Sequence, residues 1–230
     1  MIRPIITLRR KRILIDVDTQ REFFLASGVS CIRNHRRVLA NIRRVMAWAR
    51  LKNVRMISTA CVYDNGTKDR IGCLETADGA GKISYTVRPR RISFAADGCT
   101  DLPRDIFRHY DQVVLEKRDI DPFKEPRADR MLSELRANEF VLIGGTMEGA
   151  VLATALGLLA RRKNVTILTD AVGSRDKAAA QVALRKVEAK GAKLAETKAL
   201  LGSSHLRMVG VCGCDRCRGR VHKPPLKAGA

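Results

Sequence analysis

Aromatic side chains are scarce in this chain, with one Trp, three Tyr and six Phe among 230 residues. That excludes a core packed on aromatic rings. With 45% of residues apolar, the interior must be built mainly from Val, Ile, Leu and Ala. Acidic residues are also few, 24 against 44 Lys and Arg, for a net charge of +20. Such an imbalance says nothing of the fold and much about partners: nucleic acid, a ribonucleoprotein or anionic small molecules are drawn to it. No apolar run reads as a membrane span, because residues 140–160 are interrupted by paired glycines and Glu148 and stop at Arg161-Arg-Lys163. Met1 to Leu8 is too short for a secretory signal. Seven cysteines, an odd number in a chain of ordinary domain size, fit a reducing cytoplasm with thiols free or metal-bound.

The basic excess is concentrated at the ends. Residues 1–50 hold twelve Lys or Arg against Asp16, Asp18 and Glu22, and the tail from His205 holds six against Asp215. Both ends are candidates for electrostatic contacts.

Short apolar runs alternate with helical spacing along most of the chain. Strands are expected at Arg12–Asp18, Val54–Ala60, Gln112–Glu116, Phe140–Ile143 and Val165–Leu168, with a short one within Ala192–Leu201. Helices are expected at Asn34–Leu51, where Val38, Ile42, Val45, Met46 and Ala49 share one face, and at Arg127–Ala137, Glu148–Arg161 and Asp176–Lys190. Cys61 to Arg91 is polar and reads as an irregular excursion. This alternation predicts an α/β domain over residues 1–203, a mostly parallel sheet with helices on both faces, followed by a basic cysteine-rich tail over 204–230. Ligands of such sheets bind beyond the carboxyl ends of the strands. Asp18, Lys117 and the Gly144-Gly145-Thr146 turn that leads to Ala150 all fall at that edge.

Three segments together resemble the isochorismatase-like hydrolases, the superfamily that includes nicotinamidases and other cysteine amidases. Asp16-Val-Asp-Thr-Gln-Arg-Glu-Phe23 is similar to its opening Asp-x-Gln-x-Asp-Phe motif. Val113-Val-Leu-Glu-Lys117 followed by Asp121-Pro-Phe123 is similar to its lysine strand. Gly144 to Ala155, with Asp170-Ala171 after the next strand, resembles its Gly-x-x-Thr-Asp-x-Cys-Val-x-x-Thr-Ala motif. The likeness runs from about Arg12 to Leu201. It implies a site of Asp18, Lys117 and Ala150, with alanine where the family carries its nucleophilic cysteine, and with Gly145 and Thr146 in the turn beside it at the oxyanion position. Met147 and Glu148 depart from the motif as well, which favours natural divergence over a single engineered exchange.

The chemistry follows from what remains. Without a thiolate no acyl-enzyme forms by the amidase route, Val151 is inert, and the Thr146 hydroxyl would need its own base. The resemblance also implies a second chemistry, cleavage of a vinyl ether, in which a small residue occupies the cysteine position. There Asp18 acts as general acid, water captures the oxocarbenium-like centre and Lys117 steadies the anionic substrate. An Asp at a strand end is more often a helix cap or turn residue than an acid; the match of all three segments reverses that for Asp18, whereas Asp16 is read as structural. The competing reading is a family member without catalysis, retained as a binder of RNA or a ribonucleoprotein. Nicotinamidase-type members place an Asp and two His after the second strand, where this chain reads Cys61-Val-Tyr-Asp64, so no catalytic metal or cofactor is expected. The resemblance further implies a homo-oligomer.

Cys212-Gly-Cys-Asp-Arg-Cys217, with His222 five residues on, lies outside the resemblance. Cys212, Cys214, Cys217 and His222 have the chemistry of a tetrahedral structural zinc site. Arg216, Arg218, Arg220 and Lys223 around them would make it a basic knuckle of the kind that touches nucleic acid.

Overall fold

The computed structural model describes residues 10–28, 30–62 and 81–206. Seven strands form one sheet in the order β3-β4-β2-β1-β5-β6-β7: β1 Arg10–Val17, β2 Arg55–Cys61, β3 Arg91–Phe94, β4 Gln112–Lys117, β5 Ala137–Gly145, β6 Val165–Gly173 and β7 Lys193–Ala195. Every neighbouring pair is parallel. Parallel strands need crossovers that cover both faces, and alternate residues of each strand serve the two layers. Ile13, Ile15 and Val17 of β1 belong to one core, together with α3 (Ile106–His109), α4 (Pro126–Glu134), α5 (Leu152–Ala160) and α6 (Lys177–Ala189). Leu14, between them, belongs to the other, together with α1 (Arg21–Phe24), α2 (His35–Leu51) and α7 (Thr197–Leu206).

The helices obey their patterns. In α2 the expected apolar stripe is buried, while Arg36, Arg37, Arg43 and Arg44 are exposed on the opposite side. Pro126 opens α4 at a position where its missing N–H costs nothing. Asp176 caps α6, its carboxylate accepting from the N–H groups of Ala178 and Ala179 at 2.8 and 3.2 Å.

Three expected boundaries move. The excursion after β2 ends in an edge strand, β3, whose Ile92 and Phe94 face the core while Arg91 and Ser93 face out. Helix α4 stops at Glu134 because Leu135 turns extended (φ −63°, ψ 128°), which frees Ala137 to begin β5. The helix expected from Glu148 begins regularly only at Leu152. Met147–Val151 is a wider turn in which Gly149 leaves helical geometry (φ −118°, ψ −106°), and the Thr146 carbonyl accepts from both Gly149 and Val151.

The chain runs from β1 leftward to β2 and returns from β4 to β5 on the right of β1. The crevice between the carboxyl ends of β1 and β5 is therefore the point where the winding reverses, the usual ligand position in such sheets. Asp18 follows β1 and the Gly145–Thr146 turn follows β5.

Candidate active site at the carboxyl edge

Register places the ends of the strands together. Val17 lies opposite Gly144, and Cys61 opposite Lys117. Gly144 is required at its position: φ is +117°, and a Cβ there would stand 1.9 Å from the Val17 carbonyl oxygen. Asp18 has φ 46°, a left-handed conformation that Asp tolerates better than most residues. Its carboxylate thereby turns across the end of β2 toward Lys117.

The two groups meet. Lys117 Nζ lies 2.7 Å from Asp18 Oδ2, and both residues are buried, at 1% and 3% exposure. The ammonium also donates to the backbone carbonyls of Asp119 (3.0 Å) and Ile120 (3.3 Å), so its charge is met by a carboxylate and by backbone oxygens. On the Asp18 side, the Thr59 hydroxyl donates to Oδ1 at 2.6 Å and accepts from the Asp18 N–H at 3.2 Å. Gln20 fixes the frame. Its side-chain amide donates to the Cys61 carbonyl at 2.8 Å and accepts from the Cys61 N–H at 2.9 Å, like an added strand residue. Because Cys61 is in register with Lys117, this ties the segment after β1 to the strand that carries the lysine.

Ala150 sits in the turn after β5, 6% exposed and packed in the same core layer as Met147 and Val151. Thr154 on α5 donates its hydroxyl to the Ala150 carbonyl at 2.7 Å. Ile120, whose carbonyl receives Lys117, places its Cγ2 3.8 Å from where a Cβ would stand on Gly149. The lysine loop and the Ala150 turn thus close on one another. Thr146 Oγ1 lies 2.9 Å from that same point, and Gly145 is pressed by the Phe24 ring, 3.2 Å from a Cβ placed there.

Matching to families and structures decides the kinship. A family model described as the isochorismatase domain matches residues 12–199. The chain belongs to the isochorismatase family. A search of curated proteins finds no match. Among solved structures it is similar to an isochorismatase family protein from Desulfovibrio vulgaris, with TM-score 0.64 and 18% identity over 84% of this chain and 97% of that one. It is similar to the pyrazinamidase of Pyrococcus horikoshii in complex with zinc, with TM-score 0.61 and 20% identity over 81% and 99%. It is also similar to the MAR1 ribonuclease from Caenorhabditis elegans, with TM-score 0.55 and 22% identity over 85% and 84%. At these identities the likeness speaks for the shared fold.

Several residues packed around this pair escaped the sequence. Thr59 and Ser58 are hydroxyls inside an otherwise apolar strand, and that anomaly was their only signal. Lys82, from the excursion after β2, forms a second buried ion pair with Asp16 at 3.0 Å, supported by the Ser58 hydroxyl at 2.9 Å. Asp16 is thus a structural member of the layer behind Asp18. Asp170 is structural too. One oxygen accepts from the Thr197 N–H and hydroxyl, both at 2.8 Å, and the other from Asn41 at 3.2 Å, joining β6 to α7 and α2. Cys212, Cys214, Cys217 and His222 lie outside the described residues. Among the described residues no three His, Cys, Asp or Glu side chains are grouped to hold a metal ion, and no helix is long and apolar enough to cross a membrane.

Proposed function

We propose that this isochorismatase-family protein hydrolyses a small anionic substrate of vinyl-ether type by acid catalysis, with no acyl-enzyme. The observation that carries this reading is the buried Asp18–Lys117 pair beside a turn whose side chain, Ala150, is a methyl group. Desolvating two charges costs several kcal/mol for each ion, which a hydrophobic pair of equal volume would avoid. Chemistry gives a reason to hold them there.

Asp18, once it has taken up a proton, delivers it to the terminal CH2 of the enol ether, converting that carbon to a methyl group. The adjacent carbon becomes an oxocarbenium-like centre. Water adds to it and returns a proton to the Asp18 carboxylate, leaving a hemiketal, which collapses to a ketone and an alcohol. Lys117, held by Asp18 and the carbonyls of Asp119 and Ile120, fixes the carboxyl group in place, and when Asp18 is protonated its positive charge is left to offset negative charge on the substrate. Ala150 carries no thiol, so the covalent route is closed.

A second reading has its own support. The exposed Arg36, Arg37, Arg43 and Arg44 make one side of α2 a cationic face, and one of the similar folds is a ribonuclease. In this reading the protein binds RNA or a ribonucleoprotein, and the tail, with zinc held by Cys212, Cys214, Cys217 and His222, adds to the contact.

The purified chain tests both. Hydrolysis of isochorismate, followed by release of the keto acid and lost in Asp18→Asn, supports the enzyme. No turnover, together with RNA affinity that falls steeply as salt rises, overturns it in favour of the binder.

A further inference from the structure

A cleft of about 350 Å³ opens at the same sheet edge, but on the β6 side of the Ala150 turn. Its walls carry Arg33, from the segment before α2, and Arg175 and Lys177, from the start of α6. Its apolar surface comes from Met147, Val172 and Leu184. Neither Asp18 nor Lys117 lines it.

The three cations of this cleft are unpaired among the described residues. All three cationic residues are exposed, and their side chains have no hydrogen bond or ion pair among the described residues. No carboxylate lines the cleft. The two acids nearest in sequence are turned to the backbone: Asp176 caps α6, and Glu148 Oε1 accepts from the N–H groups of Arg175 and Asp176 at 2.8 and 3.3 Å. Three cations around one concavity focus a positive potential into it. An arginine fork matches a planar or tetrahedral oxyanion. The volume lies at the small end of the range for ligand pockets, and the apolar surface suits a single ring or a short aliphatic body.

We propose that this cleft is a binding site for a small organic oxyanion, a carboxylate or phosphate ester on an apolar body, separate from the Asp18–Lys117 pair. Arg175 and Lys177 grip the anionic group with Arg33, while Met147, Val172 and Leu184 hold the body. The site stands whether or not Asp18 catalyses.

Calorimetric titration of the full chain at near-physiological salt tests it, with benzoate, phenyl phosphate and uncharged benzamide as probes. Saturable binding of benzoate or phenyl phosphate is expected, with benzamide weaker by about tenfold or more, and whichever anion binds tighter identifies the oxyanion. The double variant Arg175→Gln/Lys177→Gln, both at exposed positions, is expected to weaken the anion by about tenfold or more, a change of about 1.4 kcal/mol. Asp18→Asn, shown by circular dichroism to be folded, is expected to leave binding unchanged. Failure of both anions to saturate, equal binding of benzamide, indifference to the double variant, or loss on Asp18→Asn would each overturn the assignment.

Discussion

Replacing Lys117 with methionine tests the site where it is most exacting. The side chain keeps most of its reach and loses its ammonium, so the Asp18 carboxylate stays buried at 3% exposure with the Thr59 hydroxyl as its remaining side-chain donor among the described residues. Removing one partner of a buried pair costs about 3–5 kcal/mol. No discount for solvent screening applies here, since both groups are within a few per cent of full burial. Asp18→Asn on top of this removes the stranded charge. Asparagine tolerates the left-handed backbone that Asp18 adopts, and its carbonyl can still accept from Thr59. The double variant is therefore expected to be more stable than Lys117→Met alone, and the cycle to show a coupling of about 2–3 kcal/mol. Urea denaturation followed by circular dichroism measures all four proteins. If Lys117→Met costs less than about 1 kcal/mol, the value typical of an exposed pair, or if the two substitutions simply add, the pair is not the closed unit described here.

Two further substitutions probe the frame. Arg88 is buried at 4% exposure with Nε and Nη2 lacking hydrogen-bond partners among the described residues. Burial, with Arg50 and Arg55 nearby, pushes its guanidinium down to about 10. A base whose folded value is depressed gains stability only as pH rises through that value, so at neutral pH its charge is a cost. Arg88→Met should thus stabilise the protein by on the order of 1–2 kcal/mol in denaturant melts at pH 7, and a loss of stability would contradict this. Asp170→Ala removes the acceptor of Thr197 and Asn41. It should destabilise by about 2–3 kcal/mol, with amide exchange in α7 rising before exchange in β5; a uniform rise would instead mean that Asp170 is not a local clamp.

What could be read from the sequence is what the backbone and the motif spacing dictate. Buried parallel strands are short runs of Val, Ile and Leu, so β1, β2, β4, β5 and β6 were visible in outline. β3 was not, because four residues alternating Arg, Ile, Ser, Phe at the end of a polar stretch carry too little pattern. The start of the helix after β5 was misplaced because Glu148-Gly-Ala-Val has no stop signal; the wide turn there depends on one carbonyl, that of Thr146, receiving two N–H groups. Asp18 and Lys117 were found through motifs, and their burial could not have been. It depends on Thr59, on the carbonyls of Asp119 and Ile120, and on the Gln20 amide binding across to Cys61, all set by three-dimensional register. Lys82 lies in a stretch without periodicity, and nothing in the chain pairs it with Asp16 until the sheet is formed.

The two halves of the carboxyl edge differ in a way that bears on how an anion would be handled. At the β1–β4 side the charges cancel, since Lys117 is matched to Asp18 and Lys82 to Asp16, each within 3.0 Å. These pairs project little field beyond their own hydrogen bonds. At the β6 side Arg33, Arg175 and Lys177 are exposed and unmatched among the described residues, and an open cation acts at longer range than a neutralised one. The attraction for an anion and the group that would transfer a proton therefore sit on opposite sides of the Ala150 turn. An anion drawn by charge alone would settle over β6, away from Asp18, so the surplus of Lys and Arg governs how fast anions arrive rather than where a proton is transferred.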